Sequence, residues 1–164
     1  MGRSIMNQQF VVSKEIEFDA GHRVPLHESK CRNPHGHRYR VIAYVCGDLQ
    51  EEGAATGMVL DFTDIKAALT ELIHDKYDHG FIIYAGDSEM LNAFRIYYVD
   101  KKTGVGVNDG NYKIIVVDWT PTAEEMARSV YNDLIERLPG LIRVDVYETP
   151  TSCATYPYSG IING

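Results

Sequence analysis

Cysteine is scarce in this sequence: Cys31, Cys46 and Cys153 are the only three in 164 residues. An odd count at uneven spacing builds no disulfide framework and leaves at least one free thiol, which fits a reduced compartment. No apolar run approaches the roughly 20 residues that span a bilayer, and the first ten residues, MGRSIMNQQF, lack the apolar centre of a secretory signal. The expectation is a cytoplasmic protein that contacts no membrane. Basic residues are also in deficit, 16 Lys and Arg against 23 Asp and Glu, for a formal charge of −7. That balance argues against a nucleic-acid partner, because binding to the phosphate backbone needs a basic surface. Internal repeats, low-complexity tracts and Pro/Ser-rich linkers are missing. So is any nicotinamide or nucleotide motif, and no redox cofactor is expected.

What is present, 45% hydrophobic and 24% charged residues, is the composition of one ordinary globular domain over 1–164 with a real core. Its charge is uneven. Between His22 and Arg40 stand Arg23, Lys30, Arg32, Arg38 and Arg40, opposed only by Glu28. Such a segment either attracts an anionic small molecule to an acidic protein or is a solvated charged loop.

Periodicity sets out the elements. FVVSKEIEF (Phe10 to Phe18) and YRVIAYVCG (Tyr39 to Gly47) alternate as strands. Thr63 can cap a helix through DIKAALTELIHDK, whose Ile65, Leu69, Leu72 and Ile73 share a face, ending near Tyr77. A short helix is expected around MLNAF, a flexible excursion over KKTGVGVNDGN, and a strand at KIIVVDW. TPTAEEMARSVYNDLIERL is an amphipathic helix started by Pro121 and Thr122, favoured by Glu124 and Glu125 in its first turn, and ended by Pro139 and Gly140. LIRVDVYET and Cys153 to Tyr158 close the chain as two strands about a turn. Strand pair, helix, helix, strand pair is an α+β layout with both helices on one face of an antiparallel sheet.

Three of the six histidines are suggestively placed. His35 and His37 lead into the second strand, where residues i and i+2 share a side, and His22 lies near the end of the first. Three imidazoles with a fourth position open is the coordination of a catalytic zinc, although His-Gly-His can equally be a solvent-exposed turn. Cys31, flanked by Lys30 and Arg32, is a nucleophile or base, a fourth metal ligand, or an inert loop thiol. Cys46 and Cys153 are expected as small buried hydrophobes in strands. Asp78-His79 can form a carboxylate–imidazole pair, but sequence neighbours need not face each other. His27 and His74 have no partner in view and are taken as surface residues. Glu148 closes an apolar strand, where a carboxylate either accepts two hydrogen bonds from an N–C–N edge such as that of a pterin or guanine, or is an exposed strand end.

Taken together these residues resemble a known family, the 6-pyruvoyltetrahydropterin and 6-carboxytetrahydropterin synthases. The resemblance runs in order through FDAGHR (Phe18 to Arg23), CRNPHGH (Cys31 to His37), GMVLDFTDIK (Gly57 to Lys66), YDHG (Tyr77 to Gly80), PTAEE (Pro121 to Glu125) and VYET (Val146 to Thr149). About 81–118 matches no family block and is expected as an insertion. The resemblance implies the tunnelling fold (T-fold), a four-stranded antiparallel sheet with two helices on one face. It further implies trimers whose sheets join into a barrel, often stacked as hexamers, with active sites between subunits.

In the family's pattern His22, His35 and His37 bind Zn2+, and Cys31, Asp78 and His79 move protons. Glu148 anchors the pterin, with Thr122 and Glu124 at its edge. The three-residue gap between Cys31 and His35 resembles the bacterial carboxy-forming enzymes of the 7-deazaguanine (queuosine) pathway. Their substrate is 7,8-dihydroneopterin triphosphate, a polyanion suited to the basic segment, and their products are 6-carboxy-5,6,7,8-tetrahydropterin, acetaldehyde and triphosphate. The alternatives are a pyruvoyl-forming triphosphate lyase and a non-catalytic zinc- and pterin-binding protein.

Overall fold

The two strands that carry the histidines are longer than their alternation indicates. In the computed structural model, which describes residues 9–157, β1 spans Phe10–His22 and β2 spans His35–Gly47. They pair antiparallel from Phe10↔Gly47 to His22↔His35 without a break. Hydrophobic alternation faded after Phe18 because the inward positions there are held by Ala20, His22, His35 and His37. Those positions are polar or small, yet they continue the face on which Phe18, Tyr39, Val41, Ala43 and Val45 are buried.

After β2 the chain enters α1 (Phe62–Leu69), a π-helical turn (Thr70–His74) and α2 (Asp75–Tyr77), one continuous helical stretch that stops at Tyr77 as expected. Its cap is Asp61 rather than Thr63. The Asp61 carboxylate accepts the Thr63 N–H at 2.7 Å, and Thr63 is already inside the helix. Then follow β3 (Gly80–Tyr84), α3 (Ser88–Ala93), β4 (Ile96–Val99), β5 (Gly106–Asn108) and β6 (Ile114–Val117). The stretch expected to be a flexible excursion instead holds β5, which pairs back on β4, and a connection tied by Asp100 Oδ1 accepting the N–H groups of Lys102 and Thr103. Next, α4 (Ala123–Leu134) starts behind its Thr122 cap with Glu124 and Glu125 in the first turn. Pro139 and Gly140 lie in the turn beyond it, leading to β7 (Leu141–Thr149) and β8 (Ser152–Tyr156). The expected end of the last strand at Tyr158, and most of the leading decapeptide, lie outside the described residues.

The expected antiparallel sheet is present as the order β1-β2-β7-β8, but it is extended beyond four strands. β3 runs parallel to β1, and β6 parallel to β3, giving a mixed six-stranded sheet in the order β6-β3-β1-β2-β7-β8. Both added strands fall almost wholly in the stretch, about 81–118, that was expected as an insertion. The two long helices pack on one face, where Ile65, Leu69, Ile73, Met126, Val130 and Leu134 meet the inward residues of β1, β2 and β7. A smaller apolar cluster of Ile83, Met90 and Ile114 underlies α3.

The other face of the sheet is polar, with Glu15, Glu17, Asp19, Arg38 and Arg40 facing outward along β1 and β2. No helix of the described residues is long and apolar enough to cross a membrane.

Candidate active site

Register alone brings the three histidines together. His22 and His35 are direct partners across the β1–β2 ladder, so their side chains leave on the same face, and His37 joins them two residues along β2. Ring centroids lie 4.5 Å apart for His22–His35, 4.9 Å for His35–His37 and 5.2 Å for His22–His37. One ring nitrogen from each falls within 4.8 Å of the others. The exposed-turn alternative for His-Gly-His does not hold. Gly21 and Gly36 pair between the histidines, and a Cβ on Gly21 would sit 2.5 Å from the Phe81 ring, so glycine is what lets β3 dock here.

Backbone carbonyls fix the imidazoles. Pro121 O lies 2.7 Å from His22 Nδ1, and Asn33 O lies 2.7 Å from His35 Nδ1. A carbonyl only accepts, so each Nδ1 carries the proton and each Nε2 presents a lone pair. The Nε2 atoms of His22 and His37 are buried without a hydrogen-bond partner. Burial, reinforced by the neighbouring His35 and His37, pushes the His22 pKa down to about 4 against the opposing pull of the Pro121 carbonyl. His37 is lowered too, chiefly by burial and partly offset by Glu148.

Glu148 is not an exposed strand end. It extends the inward face of β7 beyond Val144 and Val146, its side chain is 26% exposed, and its Oε1 lies 3.4 Å from His22 Nε2 and 3.9 Å from His37 Nε2. The Nε2 lone pairs of His22 and His35 thus lie beside the His37 ring and a carboxylate. That donor set fits a divalent cation, and His22, His35 and His37 are the residues that would hold it.

Cys31 sits in a short 3-10 turn, Lys30–Arg32, between the two strands. It lines a cleft of about 260 Å³ together with His22, His27, Thr122, Glu124 and Glu148. The cleft is walled by the first turn of α4, where the Thr122 hydroxyl oxygen accepts the Glu125 N–H at 3.4 Å, and by the end of β7. His27 was missed in the sequence, although its position four residues before Cys31 in the same loop was the available signal. Its Nδ1 accepts the Ser29 N–H at 3.0 Å, which leaves the proton on Nε2. Cys153, expected buried, is exposed, and Cys46 is half-buried.

Asp78 and His79 do face each other, with His79 Nδ1–H donating to Asp78 Oδ2 at 2.7 Å. Asp78 Oδ1 also accepts the Asp19 N–H at 3.1 Å. This backbone bond first, and His79 second, hold the Asp78 carboxyl below its usual range. The pair is not in the Cys31 cleft. His79, with a left-handed backbone (φ 56°) and a side chain 79% exposed, borders a depression shared with Asp19, Gly21 and Arg38 on the polar face.

The basic segment is divided in the same way. Arg38 is bound by Asp19 and Arg40 by Glu15 on the polar face, while Arg23 is gripped by Asp87 and Glu89. Only Lys30 and Arg32 form no salt bridge among the described residues, so the five cations are not one anion site. The neutralising carboxylates are cross-strand or distant partners, which a count along the segment does not reveal.

Comparisons with known proteins identify the family. Two curated relatives carry the name 6-carboxy-5,6,7,8-tetrahydropterin synthase. One, from Haemophilus influenzae, is 36% identical over 90% of this chain and 98% of its own. The other, from Synechocystis, is 35% identical over 90% and 92%. Among solved structures, an uncharacterized protein from Wolinella succinogenes superposes with a TM-score of 0.75 at 24% identity, covering 93% of this chain and 99% of that one. The 6-pyruvoyl tetrahydropterin synthase of Plasmodium falciparum gives 0.65 at 22% identity over 91% and 97%; at these identities both establish the shared fold. The model of the 6-pyruvoyl tetrahydropterin synthase family matches residues 11–158, and the chain belongs to that family.

Proposed function

We propose that this chain is a zinc-dependent 6-carboxy-5,6,7,8-tetrahydropterin synthase. In this reading it converts 7,8-dihydroneopterin triphosphate to 6-carboxytetrahydropterin, acetaldehyde and triphosphate on the 7-deazaguanine (queuosine) route. The observation that carries the proposal is the convergence of one ring nitrogen from each of His22, His35 and His37 within 4.8 Å, with the Nε2 atoms of His22 and His37 buried without a partner and His22 also lining the cleft of Cys31 and Glu148. The names of the curated relatives support the choice of product.

His22, His35 and His37 would hold the zinc, which when bound supplies Lewis-acid chemistry that acidifies the substrate's side-chain hydroxyls. Glu148 accepts two N–H bonds from the amidine edge of the pterin and fixes the ring, with Thr122 and Glu124 alongside. Cys31, as thiolate, removes a proton from the side chain held between ring and metal ligands. Lys30 and Arg32, exposed on the thiol's own turn and free of salt bridges among the described residues, face the leaving triphosphate. His27 Nε2–H is a further donor to it.

The Asp78–His79 pair completes proton transfer from a neighbouring copy. Within one chain neither residue lines the cleft of Cys31, and a trimer or hexamer with sites between subunits is the assembly that would unite them.

Removing the metal with a chelator, then restoring zinc, tests the dependence. Turnover of 7,8-dihydroneopterin triphosphate should vanish on chelation and return with about one zinc per subunit. Full turnover by metal-free protein would refute it.

A further inference from the structure

We propose that Asp87, just before α3, is a positioning residue for Cys31, acting through Arg23. The inference rests on the proposed role of Cys31 as the proton-transferring thiol.

Asp87 precedes α3 and is buried, its side chain 3% exposed. Its carboxylate does two things at once. Oδ1 accepts the Met90 N–H at 3.2 Å and so caps α3, while Oδ2 and Oδ1 accept from Arg23 Nε and Nη2, both at 2.6 Å. This is a fork-on-fork pair, the charge-assisted arrangement that fixes direction as well as distance. The Arg23 side chain is itself only 12% exposed, and Glu89, 78% exposed, adds a looser contact at 2.8 Å. The guanidinium sits too far from water to be indifferent to its partner, and removing Asp87 would leave it largely desolvated and half-paired.

Arg23 is the first residue after β1, next to His22, and it leads into the loop that carries the thiol. Val24 N–H donates to the Cys31 carbonyl at 2.8 Å, and Arg23 Nη1 reaches toward the Arg32 carbonyl at 3.5 Å. The carbonyls of Cys31 and of the residue after it thus both face the Arg23–Val24 segment. The other hydrogen bonds of the loop join near neighbours in the chain: His27 N–H to the Val24 carbonyl, Ser29 N–H to His27 Nδ1, Arg32 N–H to the Ser29 carbonyl and Asn33 N–H to the Lys30 carbonyl. Residues 26–30 are exposed, and the 3-10 turn itself buries no residue. The direction in which Cys31 meets the cleft therefore depends on how Arg23 leaves β1, and Asp87 sets that direction. The charge of Arg23 is already matched, so it is not among the cations open to substrate.

The test is Asp87→Asn in the zinc-loaded full chain, with Arg23→Lys as a second variant that keeps the charge but loses the fork. Two readouts are needed. One is peptide-resolved alkylation of Cys31 by iodoacetamide in the native protein. The other is kcat and KM with 7,8-dihydroneopterin triphosphate. Zinc content should hold, the alkylation rate should shift by about threefold or more, and kcat should fall about tenfold with little change in KM, as expected for a misplaced group. Asp87→Glu, which retains the charge, should recover part of the loss. Wild-type alkylation and kcat in both variants, whatever the change in melting temperature, would reduce the pair to a fold-stabilising contact. A rise in KM alone, with alkylation unchanged, would instead make Arg23 a substrate contact and overturn the proposal. Should the wild type turn over none of this substrate, the functional reading fails, while alkylation still decides whether Asp87 orients the thiol.

Discussion

His22 and His35 stand as direct partners in an antiparallel ladder, their ring centroids 4.5 Å apart and each Nδ1 bonded to a backbone carbonyl. A metal site built on a strand register is rigid, because shifting either ring means shifting the ladder. Replacing His35 by Ala should therefore abolish tight zinc binding, from about one zinc per subunit to nearly none. The fold should persist, since His35 is only partly buried. Metal analysis checks this, and a variant with full zinc content would remove the site.

Cys31 lines the cleft but is not among the converging ligand atoms. Cys31→Ala should keep its zinc and its thermal stability while losing turnover by about two orders of magnitude or more, the usual weight of a positioned acid–base group. Loss of metal in that variant would make the thiol a ligand.

Replacing Glu148 by Gln keeps the shape but removes the charge proposed to face the pterin edge. A lost charge-assisted contact costs on the order of 1.5–3 kcal/mol, or about ten- to a hundredfold in affinity. Titration of an unreactive pterin measures it, and zinc content should hardly change. Unchanged affinity would mean that the substrate's ring sits elsewhere. Loss of zinc would mean that the carboxylate, 3.4 Å from His22 Nε2, is a ligand instead.

The depressed pKa of His22 has a signed consequence for the metal-free protein. Its folded value of about 4 lies below the ordinary 6.5, so the unfolded chain takes up the proton first. The stability is present in full above pH 6.5 and is lost as pH falls toward about 4, by roughly 3 kcal/mol. Urea midpoints at pH 7 and pH 4 for the wild type and His22→Gln isolate this group from the carboxylates. An equal loss in both proteins would contradict the assignment.

Much of the site was legible in the sequence because it follows from local rules. His35 and His37 share a face at spacing two, Thr122 caps α4, and Glu148 continues the inward alternation of β7. What escaped depended on partners distant in the chain. The sequence left open whether the basic segment is one anion site or a solvated charged loop, because Asp19, Glu15 and Asp87, which neutralise three of its cations, come from an adjacent strand or from a loop 64 residues away. The Asp61 cap lost to Thr63 by a two-residue shift that periodicity does not resolve. β3 was hidden because a short parallel strand buried on both faces carries no alternation, whereas β6 was expected as the strand in KIIVVDW but without its parallel pairing to β3. That Asp78 and His79 bond to each other, yet do not line the Cys31 cleft, is a fact of topology with no local signature.

The most direct test of the proposed function is the identity of what zinc-loaded protein makes from 7,8-dihydroneopterin triphosphate, read by mass for the pterin and by trapping for a released aldehyde. The expected result is 6-carboxytetrahydropterin with one acetaldehyde per pterin. A pyruvoyl pterin without acetaldehyde would contradict the carboxy-forming assignment, and unchanged substrate would contradict catalysis itself.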